Sequence, residues 1–282
     1  NEWLLETGES DYTGGRRQTI LRLNPQAGYA VGLKLMEDRA VCAIADFEAD
    51  IIYHEDRQLG DISEHPIAIK AIVQLVDDAI QSSGIPRAKV LGVGIALAGI
   101  IDSQSGVVNY SPYFGWRGFS LAGLVQKQLH LPTFVENDVN TLTLSEYLFG
   151  AGRHHTDFVV FTVGRGIGMG MMLEGRLYQG LRGGAGEIGH IIVNLEQAAT
   201  QGEEAGTLEA NASDPSVIQA VFPQESDQHS LQEVITMAEA GEEPAIAALA
   251  YSGHYLGVGL ATIINMLHPP LIIVSGEGII AG

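Results

Sequence analysis

An α/β fold built as two similar lobes is the class this sequence predicts, and three observations predict it. A strand meander followed by alternating helix and strand occurs twice along the 282 residues. Residues 90–98 form a continuous apolar run ending in small residues, as expected of a central strand covered on both faces. Residues 245–267 carry no acidic or basic side chain apart from His254, a length that would span a bilayer. Ser252, His254, Tyr255, Thr262 and Asn265 interrupt that stretch and a strand-like run follows it, so it reads as a buried core helix rather than a membrane segment. Two such lobes facing each other across a cleft is the natural arrangement, and clefts between lobes are where small ligands bind.

Taken in order, residues 1–28 read as an irregular linker with a small basic turn at Gly14-Gly15-Arg16-Arg17. Over 29–53, Val31, Leu33 and Leu35 alternate before a turn at Met36-Glu37-Asp38. The run 41–44, the turn Glu48-Ala49-Asp50 and the run 51–53 complete a three-strand meander. Ile69, Ile72, Val73, Val76 and Ile80 have the spacing of an amphipathic helix over 65–82. Leu121, Leu124, Val125 and Leu129 mark another helix. A short strand at 133–135 leads through Glu136-Asn137-Asp138 into a helix ending near 149. The pattern then restarts. Strands at 159–163 and 167–172 flank the turn Gly164-Arg165-Gly166, and a third strand covers 176–178. Helices at 215–222, 231–240 and 245–267 precede a strand at 271–274 that ends at Ser275-Gly276.

Composition narrows the function classes. Lys and Arg number 15 against 34 Asp and Glu, giving a net charge of −19. So acidic a chain repels phosphate backbones, and this stretch by itself is a poor nucleic-acid binder. The single cysteine, Cys42, excludes an intrachain disulfide framework and a thiolate zinc site and fits a reducing compartment. No signal peptide is visible in the acidic start.

Three segments can carry chemistry. Asp138 sits where a strand meets a helix; it is either an N-cap or a carboxylate at a strand's C-terminal end, facing a ligand crevice and able to take a proton from a hydroxyl. The run Gly183-Gly184-Ala185-Gly186-Glu187-Ile188-Gly189-His190 is either a plain glycine-rich turn or a place where backbone approaches a ligand, with Glu187 and His190 bonding a polyol. Glu209 is a similar, weaker candidate. The alternating glycines of 164–170 can leave backbone N–H groups for an anion or simply make a hairpin; they lack the spacing of a dinucleotide fingerprint. The adjacent His154 and His155 read as exposed.

The segments Leu131-Pro132-Thr133-Phe134-Val135-Glu136-Asn137-Asp138-Val139-Asn140, Ser145-Glu146-Tyr147-Leu148-Phe149-Gly150-Ala151-Gly152 and Gly186-Glu187-Ile188-Gly189-His190 together resemble the ROK family of repressors, open reading frames and sugar kinases. Ser111-Pro112 with Gly115-Trp116 matches the family's sugar-loop region, and the resemblance covers nearly the whole chain. It implies two RNase-H-like lobes of the actin/hexokinase type with a sugar between them: residues 1–28 as a linker, 29–133 as the first lobe and 134–282 as the second. It also implies that Asn137, Asp138, Glu187, His190 and Glu209 line the sugar pocket. In the family's kinases the residue matching Asp138 is the catalytic base. Tyr113 stands where the family usually has Asn, which removes one expected sugar contact.

Two departures bear on function. Kinases of the family carry an Asp-x-Gly-Gly-Thr turn for ATP phosphates and metal, whereas the matching stretch here is Lys34-Leu35-Met36-Glu37-Asp38. The glycines are gone and two carboxylates stand near the triphosphate's place. One like-charge contact at about 4 Å and an effective dielectric of about 20 costs on the order of 4 kcal/mol, roughly a thousandfold in affinity. Family members also often hold zinc through the His of the Gly-His pair and three cysteines before a Leu-Glu. Here Thr207 precedes Leu208-Glu209 and 200–203 supplies no cysteine, so the loop 198–206 is expected to be held by packing or to move.

The lead Leu4-Leu5-Glu6-Thr7-Gly8, Thr13-Gly14-Gly15-Arg16-Arg17 and Leu21-Arg22-Leu23-Asn24-Pro25 resembles the junction after the winged-helix domain of ROK repressors. The resemblance therefore implies a cytoplasmic, sugar-responsive transcriptional regulator, a repressor, taking a monosaccharide effector. Operator DNA would be contacted through a domain preceding residue 1, and the chain would continue beyond the turn 275–278. A homodimer or homotetramer is expected, with no enzyme activity, cofactor or metal and no membrane partner. The alternatives are an ATP-dependent sugar kinase with Asp138 as general base, and a binding module with no signalling role.

Overall fold

The computed structural model describes residues 3–9 and 19–281; the basic turn Gly14-Gly15-Arg16-Arg17 lies outside them. The chain divides into two compact units, 1–138 and 139–282.

In the first unit, residues expected to be irregular form an antiparallel ribbon of β1 (Leu4–Glu9) and β2 (Thr19–Leu23). Its apolar side chains are exposed, from Leu4 to Leu23, which is why no buried-face alternation announced it. The Asn24 amide donates to the Trp3 carbonyl at 2.9 Å, the Trp3 ring rests 5.4 Å from Phe47, and Arg22 pairs with Glu48. The predicted meander follows as β3 (Tyr29–Leu35), β4 (Arg39–Ala45) and β5 (Ile51–Gln58), then α1 (His65–Ser83) and β6 (Val90–Leu97). A small antiparallel sheet of β7 (Ile100–Asp102), β8 (Val107–Ser111) and β9 (Trp116–Phe119) comes next. It is followed by α2 (Leu121–Leu129) and β10 (Thr133–Asn137).

The main sheet has the order β10-β6-β3-β4-β5, with β3, β6 and β10 parallel. The expected boundary at 133/134 would cut β10, whose ladder with β6 runs from Thr133 opposite Val93 to Asn137 opposite Leu97. Those bonds keep the strand with the first unit. Alternate residues Val31, Leu33 and Leu35 are buried in one core with Ala68, Ile72, Leu75 and Val76 of α1. Cys42 lies in the same core; burial foremost, with Glu55 adding and Arg57 opposing, pushes its thiol up to about 12, so no thiolate chemistry is available. Trp116 is buried, stacked on Phe114, and its indole N–H is shared by the Ile62 and Ser63 carbonyls at 3.1 and 3.0 Å.

The chain enters the second unit through α3 (Asp138–Leu148). There β11 (Phe158–Val163), β12 (Ile167–Leu173) and β13 (Arg176–Leu177) make an antiparallel meander. Two short helices, α4 (Leu195–Gln201) and α5 (Leu208–Ala212), precede α6 (Asp214–Val221), α7 (Leu231–Glu239), α8 (Glu243–Leu267) and β14 (Ile272–Ser275). The sheet order is β13-β12-β11-β14, with β14 parallel to β11.

The expected buried core helix is only partly that. Helix α8 packs on α5, α6 and α7 and buries Ala245, Ala248, Ser252, Gly259 and Ile263. Met266, however, is 77% exposed, and Ile246, Tyr251 and Ile264 also face outward. Its length and mean hydropathy of 1.3 suit a membrane span, yet small residues on one stripe bring it against protein: a Cβ on Gly259 would meet Leu208 Cδ2 at 2.6 Å.

Helix α3 lies directly on the glycines of β12. A Cβ on Gly168 would sit 2.9 Å from Val139 Cγ2, and one on Gly170 would overlap the Thr143 hydroxyl, which itself donates to the Val139 carbonyl at 2.8 Å. Gly170→Ala should destabilise the protein by about 1–3 kcal/mol, the usual cost of overpacking. Adding Thr143→Ala should recover part of that loss in urea unfolding. A double variant no more stable than Gly170→Ala would contradict this packing.

Candidate functional site

The parallel ladder of β10 with β6 carries Asn137 to the C-terminal end of the first unit's sheet, the end where open α/β sheets present ligand groups. Its side-chain amide donates to the Gly99 carbonyl at 3.0 Å. Gly99 follows β6 in a turn pressed against Tyr110, where any Cβ would overlap the Tyr110 carbonyl. Ser111 Oγ donates to the Ala98 carbonyl at 2.8 Å. These bonds gather the end of β10, the turn after β6 and the turn bearing Tyr113 in one place; Tyr113 is exposed there. Asp138 is the first residue of α3 and is half-buried. A carboxylate in the first turn is favoured by the helix dipole, so its local structural role and its strand-end position coincide.

Sequence reasoning singled out Glu187, His190 and Glu209, and in the second unit these three come together. Gly186 has φ +88°, and a Cβ there would overlap the Met169 carbonyl; only glycine lets the 183–190 loop lie on β12. The loop is bonded there by the Met169 amide, which donates to the Gly186 carbonyl at 3.1 Å. A 3-10 turn at Ile188–His190 then places His190 Nε2 3.5 Å from Glu187 Oε2. Burial raises the Glu187 carboxyl above the ordinary carboxylate range; His190 opposes that shift and Glu209 adds to it. Glu209, in the first turn of α5, accepts the Ile167 amide on Oε2 at 2.8 Å. The group thus offers carboxylate oxygens and an imidazole, a polyol-bonding set.

The glycine hairpin commits several of the amides that an anion cradle would use. Ile167 and Met169 N–H are taken by Glu209 and Gly186, and the Gly164 amide bonds Gly166 across the turn at 3.1 Å. Carboxylates also crowd this turn. The Asp214 amide bonds the Gly164 carbonyl at 2.9 Å, and the Asp214 carboxyl is pushed up to about 6 by burial and by Glu277. In the first unit the turn between β3 and β4 carries Glu37 and Asp38, both exposed, with the Met36 amide bonded to the Arg39 carbonyl at 2.8 Å.

Sequence reasoning missed the polar residues that hold the 194–211 loop. Asn194 caps α4 through the Gln197 amide at 3.1 Å. Thr207 caps α5 and donates to the Glu204 carbonyl at 2.9 Å. Asn211 is 3% exposed and bonds the Ala205 and Thr207 carbonyls. The only sequence signals were cap residues ahead of short helices. This loop does not fit zinc: Thr207 is committed to backbone, and among the described residues no group of three His, Cys, Asp or Glu can hold a metal ion.

The fold and site define a two-unit α/β protein with meander sheets and a carboxylate–imidazole cluster in its second unit. The ROK family model matches residues 30–281, and the chain belongs to the ROK family. It is 28% identical over 274 residues to the xylose repressor of Bacillus subtilis, covering 97% of this chain and 71% of that protein. It is 25% identical over 286 residues to the DNA-binding transcriptional dual regulator NagC of Escherichia coli, covering 97% and 70%. Among solved structures, a ROK family transcriptional regulator described as a homolog of the E. coli Mlc protein superposes with a TM-score of 0.83 at 22% identity, covering 97% of this chain and 72% of that one. A ROK glucokinase from Streptomyces griseus, in complex with glucose and AMPPNP, gives 0.74 at 26% identity, covering 90% and 85%. These neighbours carry the actin/hexokinase-like fold that the resemblance implied.

The raised carboxyls set a pH dependence. Asp214 binds its proton more tightly folded, at about 6, than its ordinary value of 3.8. Its contribution is therefore complete below about pH 4 and is lost as pH rises through about 6; Glu187 acts in the same sense. Asp214→Asn should raise the thermal midpoint at pH 7.5 and change it little at pH 4. An equal gain at both pH values would show that the carboxyl is not the cause.

Proposed function

We propose that this chain is the effector-sensing part of a sugar-responsive transcriptional regulator, a repressor like the relatives it matches. The observation that carries this reading is the match along 97% of the chain to a protein named as a xylose repressor and to one named as a DNA-binding transcriptional dual regulator. A β3–β4 turn that offers Glu37 and Asp38 instead of glycines supports it. The effector is a monosaccharide or a derivative of one. Its contacts are assigned to Asn137 and Asp138 of the first unit and to Glu187, His190 and Glu209 of the second.

Binding acts on DNA affinity only through a difference in effector affinity between two conformations of the protein. With a net charge of −19, operator contact belongs to a part of the protein outside these 282 residues. A cytoplasmic homodimer or homotetramer completes the reading.

A second reading is an ATP-dependent sugar kinase with Asp138 as general base, favoured by the likeness to the glucokinase bound to glucose and AMPPNP. Calorimetry with a panel of monosaccharides, with and without ATP-Mg, separates the two. The regulator binds a sugar and releases no ADP. Asp138→Ala and His190→Ala should each weaken that sugar about 10- to 100-fold, the loss of a charged or buried hydrogen bond. Sugar-dependent ADP release abolished by Asp138→Asn would establish the kinase instead.

A further inference from the structure

We propose that Asn211 is a positioning residue, the centre of a polar clasp with Asn194 and Tyr251 that fixes where the Glu209 carboxylate stands. This rests on the effector-sensing reading of Glu209 given above. Asn211 is 3% exposed, and all four hydrogen-bonding positions of its amide are occupied. Its Nδ2 donates to the Ala205 carbonyl at 2.9 Å and to the Thr207 carbonyl at 2.8 Å. Its Oδ1 accepts from the Tyr251 hydroxyl at 2.8 Å and from Asn194 Nδ2 at 3.3 Å. Two carbonyls at one end and a hydroxyl at the other allow only this orientation of the amide. Asn194 Nδ2 also reaches the Tyr251 hydroxyl at 3.1 Å, closing a triangle between the start of α4, the end of α5 and α8.

The clasp encloses the short segment that bears Glu209. Thr207 and Asn211 flank Glu209 by two residues on either side, and both are tied to Asn211 or to backbone. Leu208 and Ala212 anchor the segment in the apolar core, and Ser252 Oγ donates to the Ala212 carbonyl at 2.9 Å. Helix α5 is only five residues long, however, so the polar clasp is what ties its Glu209-bearing turn to the loop before it. Upstream, the Leu208 amide donates to the Ile191 carbonyl at 2.9 Å and Ile192 bridges Thr207. The same clasp therefore also holds the residue next to His190. With Asn211 buried and all its amide positions bonded, any other arrangement would leave its polar atoms unpaired, which favours this one. The Glu209–Ile167 bond reads out that arrangement directly.

The test uses the full chain carrying Tyr251→Phe or Asn211→Asp, followed by amide hydrogen exchange at Ile167 and Leu208 and by calorimetry with the monosaccharide that the wild type binds. Both variants should speed exchange at Ile167 at least tenfold well below the thermal midpoint and weaken the sugar three- to tenfold. Tyr251 lies at the surface, so Tyr251→Phe should leave the midpoint nearly unchanged and carries the test if Asn211→Asp does not fold. A purely structural role would lower the midpoint while leaving Ile167 exchange and sugar affinity as in the wild type, and that result would overturn the proposal. Should the wild type bind no monosaccharide, the effector reading fails, and the clasp stands or falls on the Ile167 amide alone.

Discussion

The hydrogen bond from the Ile167 amide to the Glu209 carboxylate is the constraint on which the second unit's site depends. It joins the first residue of β12 to a five-residue helix that has no stability of its own. Around it, each neighbour is fixed by a contact that a different residue would break. Gly189 carries its backbone against Ile167, where a Cβ would overlap the Ile167 carbonyl, and Gly186 does the same against Met169. Glu187 and His190 are thus set by the backbone of β12 on one side and by the loop ending at Glu209 on the other. The charges follow from the packing: a partly buried Glu187 beside Glu209 holds its proton more readily, and His190 offsets this.

The first unit reaches its polar end by a different route. Three parallel strands carry Asn137 to the sheet's edge, and the small sheet β7–β9 bends back to meet it through Gly99 and Ser111. The aromatic cluster of Phe114, Trp116 and Phe119 anchors that small sheet, with His65 stacked 3.8 Å from Phe119. Sheet and cluster together support the turn that carries the exposed Tyr113.

Elements with one buried face were legible in the sequence. Val31, Leu33 and Leu35 alternate because every second residue enters the core, and Ile69, Ile72, Val76 and Ile80 recur at helical spacing for the same reason. Elements held by hydrogen bonds or by partners far along the chain were not legible. The ribbon β1–β2 has no buried face, β7–β9 are three to five residues long, and α4 and α5 depend on Asn194, Thr207 and Asn211. Helix α8 was overread because an apolar stretch does not say how much of it is covered. Of the candidate site, the residue types at Asp138, Glu187, His190 and Glu209 stood out in the sequence. What was hidden is that Glu209 is bonded to a residue 42 positions earlier, a pairing that no local pattern encodes.

Both tryptophans of the protein, Trp3 and Trp116, lie in the first unit. Trp116 is sealed among aromatic rings, while Trp3 is 46% exposed. Indole emission therefore arises entirely from the first unit, whereas far-ultraviolet circular dichroism sums the helices of both, α1 as well as α6, α7 and α8. Monitored by both signals, unfolding of the first unit can be followed on its own against that of the whole chain without any label.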